Sequence, residues 1–127
     1  MKHARWMAGL LGLTGVALGA FGAHVLKPTL IARGMSDVWE TARTYHLLHA
    51  VAVLAVSTAC SAPRPWLVRA AACWSIGVIF FSGSLYALAL GGPPWLGPVT
   101  PLGGVTLLLG WCFVVIDGLC FVCPEKK

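Results

Sequence analysis

The stretch WMAGLLGLTGVALGAFGAHVL, Trp6 to Leu26, decides the fold, because it runs from one end to the other without an Asp, Glu, Lys or Arg. Coiled as a helix at about 1.5 Å per residue it reaches about 30 Å, the thickness of a bilayer's hydrocarbon core. The rest of the chain agrees with it. Of 127 residues 58% are apolar and 10% charged, and the mean hydropathy is +0.84. A soluble domain does not have that balance.

Working outward, three more apolar segments follow, roughly Tyr45 to Ala59, Trp66 to Leu90 and Leu102 to Val122. The second is short on apolarity alone. It becomes long enough if its helix starts near Ser36, which can N-cap a first turn carrying Asp37 and Glu40. Thr100-Pro101 offers the last segment an N-cap and a first-turn proline. Pro28, Pro63-Arg64-Pro65 and Gly91-Gly92-Pro93-Pro94 punctuate the connections, since proline breaks helices and glycine favours turns. These signals predict an all-α integral membrane protein, an antiparallel four-helix bundle in one transmembrane domain over 1–127, with helices about 6–26, 36–60, 66–90 and 101–123.

The first segment also has features of a secretory signal, with Lys2, His3 and Arg5 ahead of an apolar run and small residues near Ala23. Its length and the three spans that need a packing partner favour a retained helix. Lys and Arg set the orientation. Lys2, Arg5, Arg64, Arg69, Lys126 and Lys127 fall at one end of the bundle, against Lys27, Arg33 and Arg43 at the other. By the positive-inside rule both termini lie in the cytoplasm, or in the matrix of a mitochondrion. The net charge of +5 is spread along segment ends, so it reads as topology signals and excludes nucleic acid as the expected partner.

Small residues recur with helical spacing. Gly9, Gly12, Gly15, Gly19 and Gly22 stand three or four apart and mark a helix-packing face on the first segment, with Gly15 and Gly19 a GxxxG pair. Ala72, Ser75, Ile79, Ser82, Tyr86 and Ala89 mark a seam on the third. Gly103, Thr106, Gly110, Phe113, Asp117 and Cys120 mark one on the fourth. Asp117 is the acid deepest in an apolar run and must be paired, protonated or wet. Arg69 lies at matching depth, which predicts an Arg69–Asp117 ion pair. Cys120 and Cys123 form a lone CxxC at a helix end, too little for zinc or redox chemistry.

Four motifs in order, GAFGAH (Gly19 to His24), Glu40-Thr41-Ala42 with Tyr45 leading into HLLHA (His46 to Ala50), FSGSLYAL (Phe81 to Leu88) and TPLGG (Thr100 to Gly104) with Gly110-Trp111, resemble the YgdD-like family. That family comprises small four-helix membrane proteins of unknown function, with bacterial inner-membrane members and a vertebrate homologue. The resemblance spans nearly the whole chain. It implies an integral membrane bundle in a bacterial inner (plasma) membrane, and it carries over no catalytic residue.

In an antiparallel bundle the resembling motifs gather at the end opposite the termini. His24, Tyr45, His46, His49, Ser82 and Tyr86 then form one polar cluster in the outer leaflet, with His46 and His49 three apart and Tyr45 and His49 four apart on one helix. Interhelical hydrogen bonding is the first reading of this cluster. A metal or haem held by His24 and His49, and a quinone or lipid-headgroup pocket, are the alternatives. The chain shows no nucleophile with an evident base, no paired carboxylates and no phosphate loop, so the reading leans away from an enzyme and assigns no cofactor. The two function classes are a structural or accessory membrane component packing through the glycine face, alone as a homo-oligomer or in a larger complex, and a small membrane binder or carrier. Its surroundings in either case are the lipid bilayer.

Overall fold

The computed structural model describes residues 2–59 and 64–120, and every regular element among them is helical. The order is α1 (Lys2–Ala23), a short α2 (Lys27–Ala32), α3 (Ser36–Thr58), α4 (Pro65–Ala89), a 3-10 turn at Pro94–Leu96 and α5 (Val99–Cys120). Three segments are long and apolar enough to cross a membrane: Lys2–Ala23, Pro65–Ala89 and Pro94–Cys120. Helix α3 has the length, 23 residues, but carries Asp37, Glu40, Arg43 and two histidines. It keeps its place in the bundle by turning those histidines inward.

The helices pack antiparallel in the row α1, α3, α4, α5, with the largest contact between α4 and α5 and only a light one between α1 and α4. Two apolar clusters hold the row together. Ala8, Leu11, Ala50, Val53, Ala70, Ala71, Trp74, Val78 and Leu107 fill the half nearer the termini. Leu30, Trp39, Ala42, Tyr86 and Ala89 fill the loop end. Many other apolar side chains face outward, as expected where the solvent is lipid.

Local chemistry sets the element ends. Pro28 stands at the second helical position of α2 and Pro65 at the first of α4, where the missing N–H costs nothing. Gly34 and Gly91 end the same two helices with φ of 65° and 92°. Both close the six-to-one and five-to-two bonds of a Schellman cap: Met35 N–H to Leu30 O and Gly34 N–H to Ile31 O, then Gly92 N–H to Ala87 O and Gly91 N–H to Leu88 O. Two expected caps are different. Met35, not Ser36, is the capping residue of α3, and no side chain caps it. Helix α5 starts at Val99, so the Thr100 hydroxyl is inside the first turn and pairs instead with Ser84 of α4 at 2.6 Å. Helix α2 itself replaces the plain loop expected around Pro28, because Leu30 can be buried against Trp39 and Tyr86.

The glycines divide by helix pair. Gly103 of α5 lies against the backbone of Phe80 and Phe81 on α4, Gly110 lies against the Trp74 ring, and Gly77 of α4 admits Leu107, so a Cβ at any of the three would collide. The α4–α5 contact is therefore the close glycine-built one. On α1 the five-residue stripe splits: Gly15 meets Leu47, Gly19 meets Arg43 and Gly22 meets Trp39, whereas Gly9 and Gly12 have open space before them. The reason is angular. A step of three residues falls about 60° short of a full turn, so two such steps carry Gly9 about 120° round the helix from Gly15.

Candidate functional site

The polar cluster expected at the outer end is split by depth and by burial. Helix α3 begins nine residues before Tyr45, which moves His46 and His49 to the middle of the bundle. Both are buried, 5% and 2% exposed, as are Ser82 and Tyr86. Tyr45 is 42% exposed. His24 follows the end of α1 on the surface, in a shallow groove with Ala17, Ala20, Phe21 and Val25. The structure therefore does not bring His24 and His49 together as a ligand pair. Among the described residues no group of three or more His, Cys, Asp or Glu side chains is placed to hold a metal.

His49 uses both ring nitrogens. Its Nδ1 lies 2.8 Å from the Tyr45 carbonyl, which only accepts, so Nδ1 carries the proton. Nε2 is then a bare acceptor, and the Trp111 indole N–H of α5 donates to it at 3.2 Å. The ring also lies near Trp74 of α4, at 6.1 Å between centroids, and Trp74 packs on Trp111 at 4.7 Å. Tyr45 covers the outer side, near-parallel to His49 at 6.0 Å and against Phe81 at 4.8 Å. One side chain so joins three helices.

His46 does the same for the other trio. The Thr14 hydroxyl of α1 donates to the Leu10 carbonyl at 2.8 Å, so its oxygen accepts from His46 Nε2–H at 3.3 Å. Nδ1 is left as the acceptor for the Tyr86 hydroxyl of α4, at 3.5 Å. Tyr86 in turn packs on Trp39 at 4.6 Å with the rings tilted by 60°, and the Trp39 N–H donates to the Leu18 carbonyl of α1 at 3.3 Å. Both histidines are neutral bridges with opposite tautomers, and neither keeps a free lone pair for a metal. Ser82 takes no part in either bridge: it is fully buried, with no hydrogen-bond partner for its hydroxyl among the described residues.

Asp117 is buried as expected, but its cation is Arg64, with Nη2 at 2.5 Å from the carboxylate and 3.2 Å from the Asp117 carbonyl. Arg69 is exposed and lies over the Trp66 ring at 4.5 Å. Depth was right and face was wrong. The register set by Gly103 on Phe81 and Gly110 on Trp74 puts Asp117 level with Leu67, which is buried. Arg69 stands two residues on, about 200° round the helix, while Arg64 stands one turn back on the same side. Cys73, Cys112 and Cys120 are free thiols, and the partner of the CxxC, Cys123, lies outside the described residues.

Sequence reasoning missed Trp39, Trp111, Arg33 and Arg64. Arg33 reaches from the end of α2 to the Ala89 carbonyl of α4 at 3.2 Å and lies against Gly91. A signal for Trp111 was present: an indole N–H in a lipid-facing helix needs an acceptor, and a buried histidine provides one.

Fold, apolar spans and hydrogen-bonded interior define a small all-α membrane bundle. Residues 18–104 match the family described as Protein of unknown function (DUF423). A UPF0382 membrane protein of Staphylococcus saprophyticus is 40% identical over 121 residues, 91% of this chain and 96% of that protein. One of Haemophilus influenzae is 39% identical over 105 residues, 83% and 84% of the two chains. The UPF0382 inner membrane protein YgdD of Escherichia coli K12 is 37% identical over 113 residues, 88% and 86%. The chain belongs to this family of membrane proteins. No solved structure matches it.

Proposed function

We propose that the protein is a non-enzymatic membrane component, structural or accessory, that acts by packing rather than through a bound cofactor. The observation that carries this reading is the double use of each buried histidine: four ring nitrogens, four interhelical or backbone bonds, and no lone pair left to bind. Gly9 and Gly12, open on the side away from α3, give a neighbouring helix a surface it can approach closely. The neighbour is a second copy or a larger membrane complex. The Lys and Arg distribution supports cytoplasmic termini, and the likeness to an Escherichia coli inner membrane protein supports a bacterial inner membrane.

Gentle purification from native membranes tests the reading. A defined protein partner or a stable homo-oligomer is the expected result, with no stoichiometric iron, copper or zinc and no haem absorption. A metal or a Soret band that disappears in His49→Ala would refute it and establish a carrier.

A further inference from the structure

At the loop end, α1, α2 and the start of α3 enclose a cleft of about 380 Å³. Its floor is Gly19 and Gly22 of α1, and its walls carry Lys27, Trp39, Glu40 and Arg43. Two cations, Lys27 and Arg43, line it, as Lys2 and Arg5 line the groove over Gly9 at the other end of α1, and here an acid, Glu40, stands with them. Arg43 is tied to Glu40, its Nε donating at 3.0 Å, and the two form an ion pair that fixes the guanidinium across Gly19. Lys27 has neither an ion-pair nor a hydrogen-bond partner among the described residues. Two cations and one acid thus face a common space, with an anchored indole between them.

The position selects the ligand. Helix α1 has 22 residues and is about 33 Å long, so the space beside its last turns lies at the level where hydrocarbon gives way to headgroups. Tryptophan is at home at that level, and Lys and Arg recognise phosphate oxygens there by charge-assisted hydrogen bonds. We infer that this cleft is a binding site for the phosphodiester headgroup of a membrane phospholipid, with Lys27 and Arg43 on the phosphate and Glu40 holding Arg43 in place. The site is separate from the buried histidines and goes beyond the packing role proposed above.

The test uses full-length protein in mild detergent, stripped of lipid and titrated with dihexanoylphosphatidylglycerol while thermal unfolding is followed. The probe should raise the unfolding midpoint in a saturable, salt-sensitive way. Lys27→Met should weaken its binding by about tenfold, the loss of one charge-assisted contact, with the midpoint of the lipid-free protein unchanged. Arg43→Gln should weaken it as well. Because Arg43→Gln can also disturb α3, the exposed Lys27 decides. Wild-type affinity in Lys27→Met overturns the proposal. So does equal binding of dihexanoylglycerol, which lacks the phosphate, and so does inorganic phosphate binding as tightly as the lipid, which would make the ligand a free anion.

Discussion

Replacing His49 by Phe keeps a ring between Trp74 and Trp111 but leaves the Trp111 N–H without its acceptor. In a soluble protein water would replace the lost acceptor. At mid-bundle there is none, so the cost is that of one interhelical bond in a membrane, about 1 kcal/mol. His49→Ala removes the ring too, and the hole beside two tryptophans adds about 2 kcal/mol. Trp111→Phe removes the donor instead and strands Nε2. If the bond is what couples the two residues, the His49→Phe, Trp111→Phe double variant is less unstable than the sum of the singles, by about 1 kcal/mol. Unfolding in mixed micelles with increasing dodecyl sulfate measures all four proteins. Additivity to within about 0.3 kcal/mol would refute the bridge and with it the assignment of His49 as a structural tie.

Other expectations follow from the packing. Asp117→Asn should strand a cation and lower the unfolding free energy in detergent, by about 2 kcal/mol because Arg64 at 17% side-chain exposure can partly reach water, whereas Arg69→Leu should have little effect; the reverse order would return the ion pair to Arg69. Gly110→Ala should cost about 2 kcal/mol by forcing a Cβ into Trp74, and Gly9→Ala should leave the isolated bundle unchanged while weakening any assembly through that face, as read by cross-linking. A membrane-impermeant thiol reagent on intact cells should label Trp95→Cys, at an exposed site of the 3-10 turn, and miss Cys123; labelling of Cys123 would reverse the orientation.

The sequence by itself determined the class, the four long helices and the breaks between them. A run such as Trp6 to Leu26 has one stable solution in lipid, since only a helix satisfies every backbone group internally, and proline and glycine act within a turn of where they stand. Its periodicity also foretold that Gly103, Gly110, Ser82 and Asp117 face inward, whereas Ala72 and Ile79 of the α4 seam and Cys120 of the α5 seam lie on the outside.

Tertiary structure alone decided which side chains become partners. The cation for Asp117 depended on which face of α4 meets α5, a rotation that matching depths do not report, so Arg64 took the place given to Arg69. The start of α3 near Ser36 was legible in the sequence and already sets His46 and His49 more than two turns in; that both rings turn inward to bridge neighbouring helices depended on the packing. The stripe on α1 looked continuous in sequence and was divided in space, because its spacing drifts round the helix while α3 covers one side only. Local spacing fixes what lies on a helix; the rotation and register of its neighbours fix what each residue touches.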